Sequence, residues 1–382
     1  MHCAMSQRML RSPWIVAAFA AGAYLVFVIA LWNARGRDLS RFIVLGAQFV
    51  DETQLPAGVS VLPDSVGYDG TAFYRLALDP FTRTQTAFGI PLDMPAYRHQ
   101  RILYPFLAWT LALGHSTFVP LTLVAVNLLA LFLLGFFGAS LAIHFGRNAW
   151  FGAIAAFYPG FLYSISRDLC EPLACACALS ALLASVKGRP RLAAMLLTCA
   201  VLTRETFLIL VIAYAIQFAF KREHASTFAT PLCVWIAWQV VLTLNWGVSP
   251  MRAGAQHVAW TFPFADYWRV LIESSSLRRI HRLHFFEALL LGIGIVSAAI
   301  ALWRSRAERA WKLAWIGNVI LASMMISNVW REDVSYMRVL SDLQILCAAL
   351  VLSTESAIPR WLVAPATTII WYYLATHLVK YS

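Results

Sequence analysis

Eleven apolar runs recur along the chain, and their repetition restricts the fold more than any other feature. They lie near 13–33, 118–144, 150–166, 170–186, 192–202, 206–220, 227–247, 284–303, 311–329, 334–353 and 360–378. A crossing takes about 20 apolar residues, and lipid offers no partner for backbone N–H and C=O groups, so each crossing must be a helix. The expectation is an all-α, polytopic integral membrane protein with about 11 transmembrane helices. Composition agrees, with 60% hydrophobic and only 13% charged residues among 382, far from the usage of a soluble domain. No internal repeat, low-complexity tract or separate soluble segment interrupts the pattern, so residues 1–382 read as one domain.

The net charge of +11 would suggest nucleic acid in a soluble protein. Here no motif interleaves aromatic and basic residues, and no nucleic-acid partner is expected. Lys and Arg instead concentrate in alternate short connections, as they do in cytoplasmic loops. Arg147, then Lys187, Arg189 and Arg191, then Lys221 and Arg222, then Arg304, Arg306, Arg309 and Lys312, and finally Arg360 mark one side, with only Glu223, Glu308 and Glu355 among them. The opposite turns are balanced: Arg167 with Asp168 and Glu171, Arg204 with Glu205, and Arg331 and Arg338 with Glu332 and Asp333. Arg8 and Arg11 precede the first run, which is too long for a secretory h-region. It reads as an uncleaved span with a cytoplasmic N-terminus, and eleven crossings leave the C-terminus outside. The segment 102–114, opening Leu103-Tyr104-Pro105, is short and reads as an interfacial or partly inserted helix. A twelfth crossing there would reverse the charge asymmetry of every later loop.

Seven cysteines do not make a disulfide framework. Cys170, Cys175, Cys177, Cys199, Cys233 and Cys347 lie in apolar stretches and Cys3 in the N-terminal tail. Cys175-Ala176-Cys177 lacks the spacing of a metal site, so these read as small buried hydrophobes.

Two outer loops are long. The first, 34–117 with its interfacial helices, holds Tyr68-Asp69-Gly70 and closes on Tyr97-Arg98-His99-Gln100-Arg101. The second, 249–283, has Arg252, Arg269, Arg278, Arg279 and Arg282 against Asp266 and Glu273, with His257 and His281 beside them. Asp69 opens a short amphipathic segment, so it reads either as an N-cap or as a fixed, ionised carboxylate able to act as a base. Arg98 and Arg101, three apart, can present two guanidinium groups to a phosphate, with His99 between them as an acid or a further ligand. Glu171 reads as one helical turn beyond Arg167 on the same face. Charges at membrane depth cost about 2.5–3.5 kcal/mol each, so they usually face a cavity or one another. That all these clusters fall on one side points to a site there. The chain has no Gly-x-Ser-x-Gly, Walker or His-Glu-x-x-His motif and no His/Cys metal set. An activated donor is therefore expected to arrive through the membrane as a lipid-linked species.

The motifs Gly67-Tyr68-Asp69-Gly70, Phe73-Tyr74-Arg75-Leu76-Ala77 and Tyr97-Arg98-x-x-Arg101-Ile102-Leu103-Tyr104-Pro105 resemble those of GT-C type membrane glycosyltransferases. Within that class they are similar to bacterial proteins of cell-surface glycopolymer formation, and distantly to the GPI mannosyltransferases. Ser166-Arg167-Asp168-Leu169-Cys170-Glu171-Pro172-Leu173, Leu202-Thr203-Arg204-Glu205-Thr206 and Tyr336-Met337-Arg338-Val339-Leu340 extend the resemblance over about residues 60–350. It implies a GT-C-like fold in the bacterial inner membrane with an extracytoplasmic site. The implied activity moves a sugar from a polyprenyl-phosphate donor to a lipid or glycan acceptor, with inversion. Asp69 would be the general base. Arg98, Arg101, Arg204 and Arg338 would hold the donor phosphate, with Tyr68, His99, Arg167, Asp168, Glu171, Glu205 and Tyr336 completing the substrate site. No cofactor is implied. A divalent metal is open, because the loop lacks the Asp-x-Asp pair of metal-using relatives. The competing readings are a lipid-linked glycan flippase, a non-catalytic envelope scaffold, and transfer of an acyl or phosphoglycerol group.

Overall fold

The computed structural model describes residues 12–219, 222–255, 261–275, 282–325, 329–330 and 335–382. Arg8, Arg11, Lys221, His257, Arg278, Arg279, His281 and the turn Arg331-Glu332-Asp333 lie outside the described residues.

Among the described residues the regular structure is helical apart from one short hairpin, Thr86–Ala87 with Ile90–Pro91. It opens with α1 (Pro13–Ala34), and the first loop carries α2 (Gly70–Leu78), α3 (Pro95–His99) and α4 (Leu103–Leu111). The helices that follow are α5 (Val119–His144), the short α6 (Ala153–Ala156) and α7 (Gly160–Ile165), α8 (Glu171–Val186), α9 (Pro190–Thr203), α10 (Leu208–Phe218) and α11 (Arg222–Trp246). The second loop holds α12 (Pro250–Ala255) and α13 (Ala265–Ser274). Then come α14 (Arg282–Arg304), α15 (Arg309–Ser323), α16 (Ser335–Val339), α17 (Ser341–Ser353) and α18 (Ile358–Lys380).

Among the described residues, five helices are long and apolar enough to cross a membrane: α1, α5, α11, α14 and α18. Shorter apolar helices, among them α8, α9 and α17, pack between them. α1 is apolar all round, yet Val16, Ala17, Ala20 and Tyr24 are fully buried while Trp14, Phe19 and Val26 are 55–68% exposed. That division suits a helix with protein on one side and lipid on the other. Pro13 supplies a preset φ where its missing N–H costs nothing. α4 is nine residues, about 14 Å long, too short for a crossing, as its sequence suggests.

Three expected spans are not single helices. The run 150–166 is broken into a 3-10 turn, α6 and α7, and 334–353 is divided at Leu340. In the run 311–329, α15 ends at Ser323. Pro159 has no N–H to continue a helix, and Gly160 meets another backbone. A Cβ there would lie 2.6 Å from the Met337 carbonyl oxygen, so only glycine lets α16 approach this closely.

The connecting turns fall into two groups with separate contacts. In one group, Ser185 donates to both oxygens of Glu308 at 2.9 Å, and Arg147 and Arg360 both donate to the Thr354 carbonyl. Arg306 pairs with Glu355, and the Gln217 side-chain oxygen accepts from the Ala310 N–H. In the other group, Asp69, Arg98, Glu171, Arg204, Arg338 and Asp342 meet. α8 joins the groups, running from Glu171 to the turn beside Ser185, and α17 runs from Asp342 back to Ser353 next to Thr354. Positively charged turns thus meet positively charged turns, and balanced turns meet balanced ones.

Candidate functional site

Asp69 ends the loop from Gly46 to Gly67 and starts α2. It occupies the N-cap position but does not cap: its backbone is helical (φ −55°, ψ −25°) and its carboxylate accepts no hydrogen bond from the helix. One oxygen lies 2.7 Å from Arg98 Nη1 and the other 2.7 Å from Arg338 Nη2. The N-cap reading is therefore corrected, because two guanidinium groups compete better for a carboxylate than a backbone N–H does. Burial alone would raise the Asp69 pKa, but Arg338, Arg98 and Arg101 outweigh it and hold the carboxyl well below the usual range.

The arginines are as tightly engaged as Asp69. Arg98 grips Asp93 through Nε (2.9 Å) and Nη2 (2.8 Å) while reaching Asp69 with Nη1. Arg338 donates through Nε to the Tyr68 hydroxyl at 2.9 Å, lies over the Tyr68 ring, and touches Glu171 at 3.3 Å. Arg204 is 2.9 Å from Glu171 and 3.5 Å from Asp342, and it donates to the carbonyls of Arg338 and Val339. Arg101 is bidentate on Glu205, at 2.5 and 2.8 Å, and also donates to the Tyr97 hydroxyl. The guanidinium of Arg167 lies over both Tyr68 and Tyr163.

Only part of this network is open. A cavity of about 950 Å3 is lined by Tyr68, Asp69, Asp93, Arg98 and Arg338. Arg204 and Glu171 are 3% and 1% exposed and stand behind it, orienting Arg338. Arg101 and Glu205 are also outside the lining and tie the end of α3 to the turn before α10.

Five expected site residues are placed otherwise than the sequence suggests. His99 is buried, with Nε2 2.8 Å from the Pro80 carbonyl and Nδ1 receiving the Trp246 indole N–H. Burial lowers its pKa, with the Pro80 contact only partly opposing. It links α3 to α11 and does not reach the cavity. Asp168 has left-handed backbone (φ 49°) and is fully buried, and neither carboxylate oxygen has a hydrogen-bond partner among the described residues. Burial pushes its pKa well above the usual range, and Arg35 only partly opposes this. Because α8 begins at Glu171, Arg167 and Glu171 do not share a helical face as their spacing suggests. Tyr336 sits on the far side of α16, where its hydroxyl donates to Glu287 at 3.1 Å, beside the Tyr163 hydroxyl at 2.7 Å.

Several residues of the network are silent in the sequence. Asp93 lies five residues before Arg98 in a non-helical turn, a spacing with no standard meaning. Asp342 is one turn beyond Arg338, a pattern that could have been read, but its partner is Arg204. Glu287 is a buried acid inside an apolar run, which by itself marks a functional or positioning role.

As for metals, no group of three or more His, Cys, Asp or Glu side chains that could hold an ion occurs among the described residues. The two cavity carboxylates, Asp69 and Asp93, are each neutralised by a guanidinium, so this donor set does not suit a divalent cation. What the arrangement offers is two ionised carboxylates, Asp69 and Asp93, two arginines that pair with them, and an open cavity above. No protein-family model, no curated protein and no solved structure matches this chain.

Proposed function

We propose that the chain is an eleven-crossing, GT-C-like glycosyltransferase of the bacterial inner membrane, with a cytoplasmic N-terminus and an extracytoplasmic site. It would transfer a sugar from a polyprenyl-phosphate donor to a lipid-linked or glycan acceptor, inverting the anomeric carbon. The observation that carries this reading is Asp69, suspended between Arg98 and Arg338 on the floor of an open cavity. The separation of balanced from positively charged turns supports the sidedness.

The mechanism follows from partner exchange. A donor phosphate offers Arg98 and Arg338 a second anion with bidentate geometry. As they turn to it, Asp69 loses its two cations and becomes a stronger base. It then takes the proton of the acceptor hydroxyl as that oxygen bonds to the anomeric carbon. The bond from the anomeric carbon to the phosphate oxygen breaks on the opposite face, its electron pair leaves with polyprenyl phosphate, and the arginines stabilise the charge that develops there. The buried pair Arg204–Glu171 keeps Arg338 aimed throughout.

The test is transfer from a panel of radiolabelled polyprenyl-phosphate sugars, with wild type beside Asp69→Asn in the same detergent. Product from wild type, with a loss of at least about 100-fold in the variant, supports the reading. No product from either, with protein folded and donor bound, would move the assignment to a flippase or scaffold.

A further inference from the structure

The outer half of the cavity differs in chemistry from its floor. Apart from Arg338, every described residue that lines it belongs to the first loop, between Gly46 and Arg98, so its occupant approaches from the aqueous side. Its charged lining is balanced, with Asp69 and Asp93 against Arg98 and Arg338. Those charges already satisfy one another at 2.7–2.8 Å. An acidic polymer or peptide would have to compete with the donor phosphate for these same two arginines, and two carboxylates would face it.

The remaining wall sets Phe49 and hydrogen-bonding groups among the small apolar side chains of Val50, Val66, Ala72, Pro91 and Leu92. Phe49 lines the cavity and is 65% exposed, so its ring is open to an occupant. Beside it, the Gln85 amide is fixed by donating to the Leu92 carbonyl at 3.3 Å, and Thr71, whose hydroxyl donates to the Val44 carbonyl at 3.4 Å, and Asp93 also line the space. An aromatic face suits the C–H face of a pyranose, and amide, hydroxyl and carboxylate acceptors suit its ring of hydroxyls. From these features we infer that the outer cavity binds an uncharged glycan through Phe49, Gln85 and Asp93, presenting one of its hydroxyls to Asp69. The inference deepens the transferase reading by naming the acceptor as a neutral saccharide end. It rests on that reading for the glycan's role, but not for its binding.

Binding can be measured without donor or turnover. Saturation-transfer NMR on the full chain in nanodiscs would compare neutral hexose disaccharides with hexuronic-acid disaccharides, for wild type, Phe49→Ala and Gln85→Ala. Phe49 and Gln85 are exposed, so neither change threatens the fold. The expected result is saturable binding of at least one neutral disaccharide, little for the acidic ones, and about tenfold weaker binding in Phe49→Ala. No neutral disaccharide binding, binding indifferent to Phe49 and Gln85, or a preference for the acidic sugars would each overturn it. Neutral-sugar binding that depends on Phe49, alongside failed transfer from every donor, would keep the glycan site and remove the transferase.

Discussion

Glu171→Gln tests whether the buried ion triad carries stability while the open carboxylate carries chemistry. Glu171 is 1% exposed and lies 2.9 Å from Arg204 Nη1 and 3.3 Å from Arg338 Nη1. The glutamine keeps the shape and can still bond Ser164, which donates to Glu171 at 3.1 Å, but it removes the negative charge that bridges two buried guanidinium groups. At an effective dielectric of 20, a unit pair about 4 Å apart is worth roughly 4 kcal/mol. Breaking one side of a buried pair typically costs about 3–5 kcal/mol, so Glu171→Gln should lose about that much. Asp69 is 21% exposed, where solvent screens the charges, and Asp69→Asn should cost about 1–2 kcal/mol. Reversible unfolding by SDS titration in mixed micelles measures both, and a cycle with Arg204→Gln should return a coupling of about 2–3 kcal/mol. Equal stability losses at Glu171 and Asp69, or a coupling near zero, would refute the argument that burial ranks these carboxylates.

Other perturbations separate the same roles. Gly70→Ala puts a Cβ 2.3 Å from the Arg167 carbonyl oxygen and 2.5 Å from that of Ile43; a shifted α2 should cost about 1–3 kcal/mol and misplace Asp69, so thermal unfolding and transfer should fall together. The pH profile has a definite sign. The folded pKa of Asp69 is depressed, so its stabilising contribution is fully present above the unfolded value of about 3.9 and is lost only as pH falls through the lower folded value. Stability should therefore show no Asp69-dependent change between pH 5 and 8, when wild type and Asp69→Asn are unfolded in parallel. In transfer assays the acid limb of kcat, which reports the donor complex, should lie at higher pH than the acid limb of kcat/KM, which reports the free enzyme. Coincident limbs would mean that the arginines do not leave Asp69 when donor binds.

By itself, the sequence determined the apolar, all-helical architecture with helices long enough to cross a membrane, and where along the chain the charged turns fall. These follow from local quantities, the length of apolar runs and the charge of short turns, which need no knowledge of packing. It also picked out Asp69, Arg98 and Arg338, since a charge beside an apolar run is conspicuous wherever the chain goes. Only the tertiary structure decided how those charges pair. Asp69 and Arg338 are 269 residues apart, and a carboxylate's choice among arginines is set by the close approach of α7 to α16 at Gly160 and of α2 to the Arg167 turn at Gly70. Packing likewise withdrew His99 and Asp168 from the site, turned Tyr336 to its far side beside Glu287, and brought in Asp93 and Asp342. Adjacent residues on a turn point in different directions, and distance along the chain says little about which distant side chain each will meet.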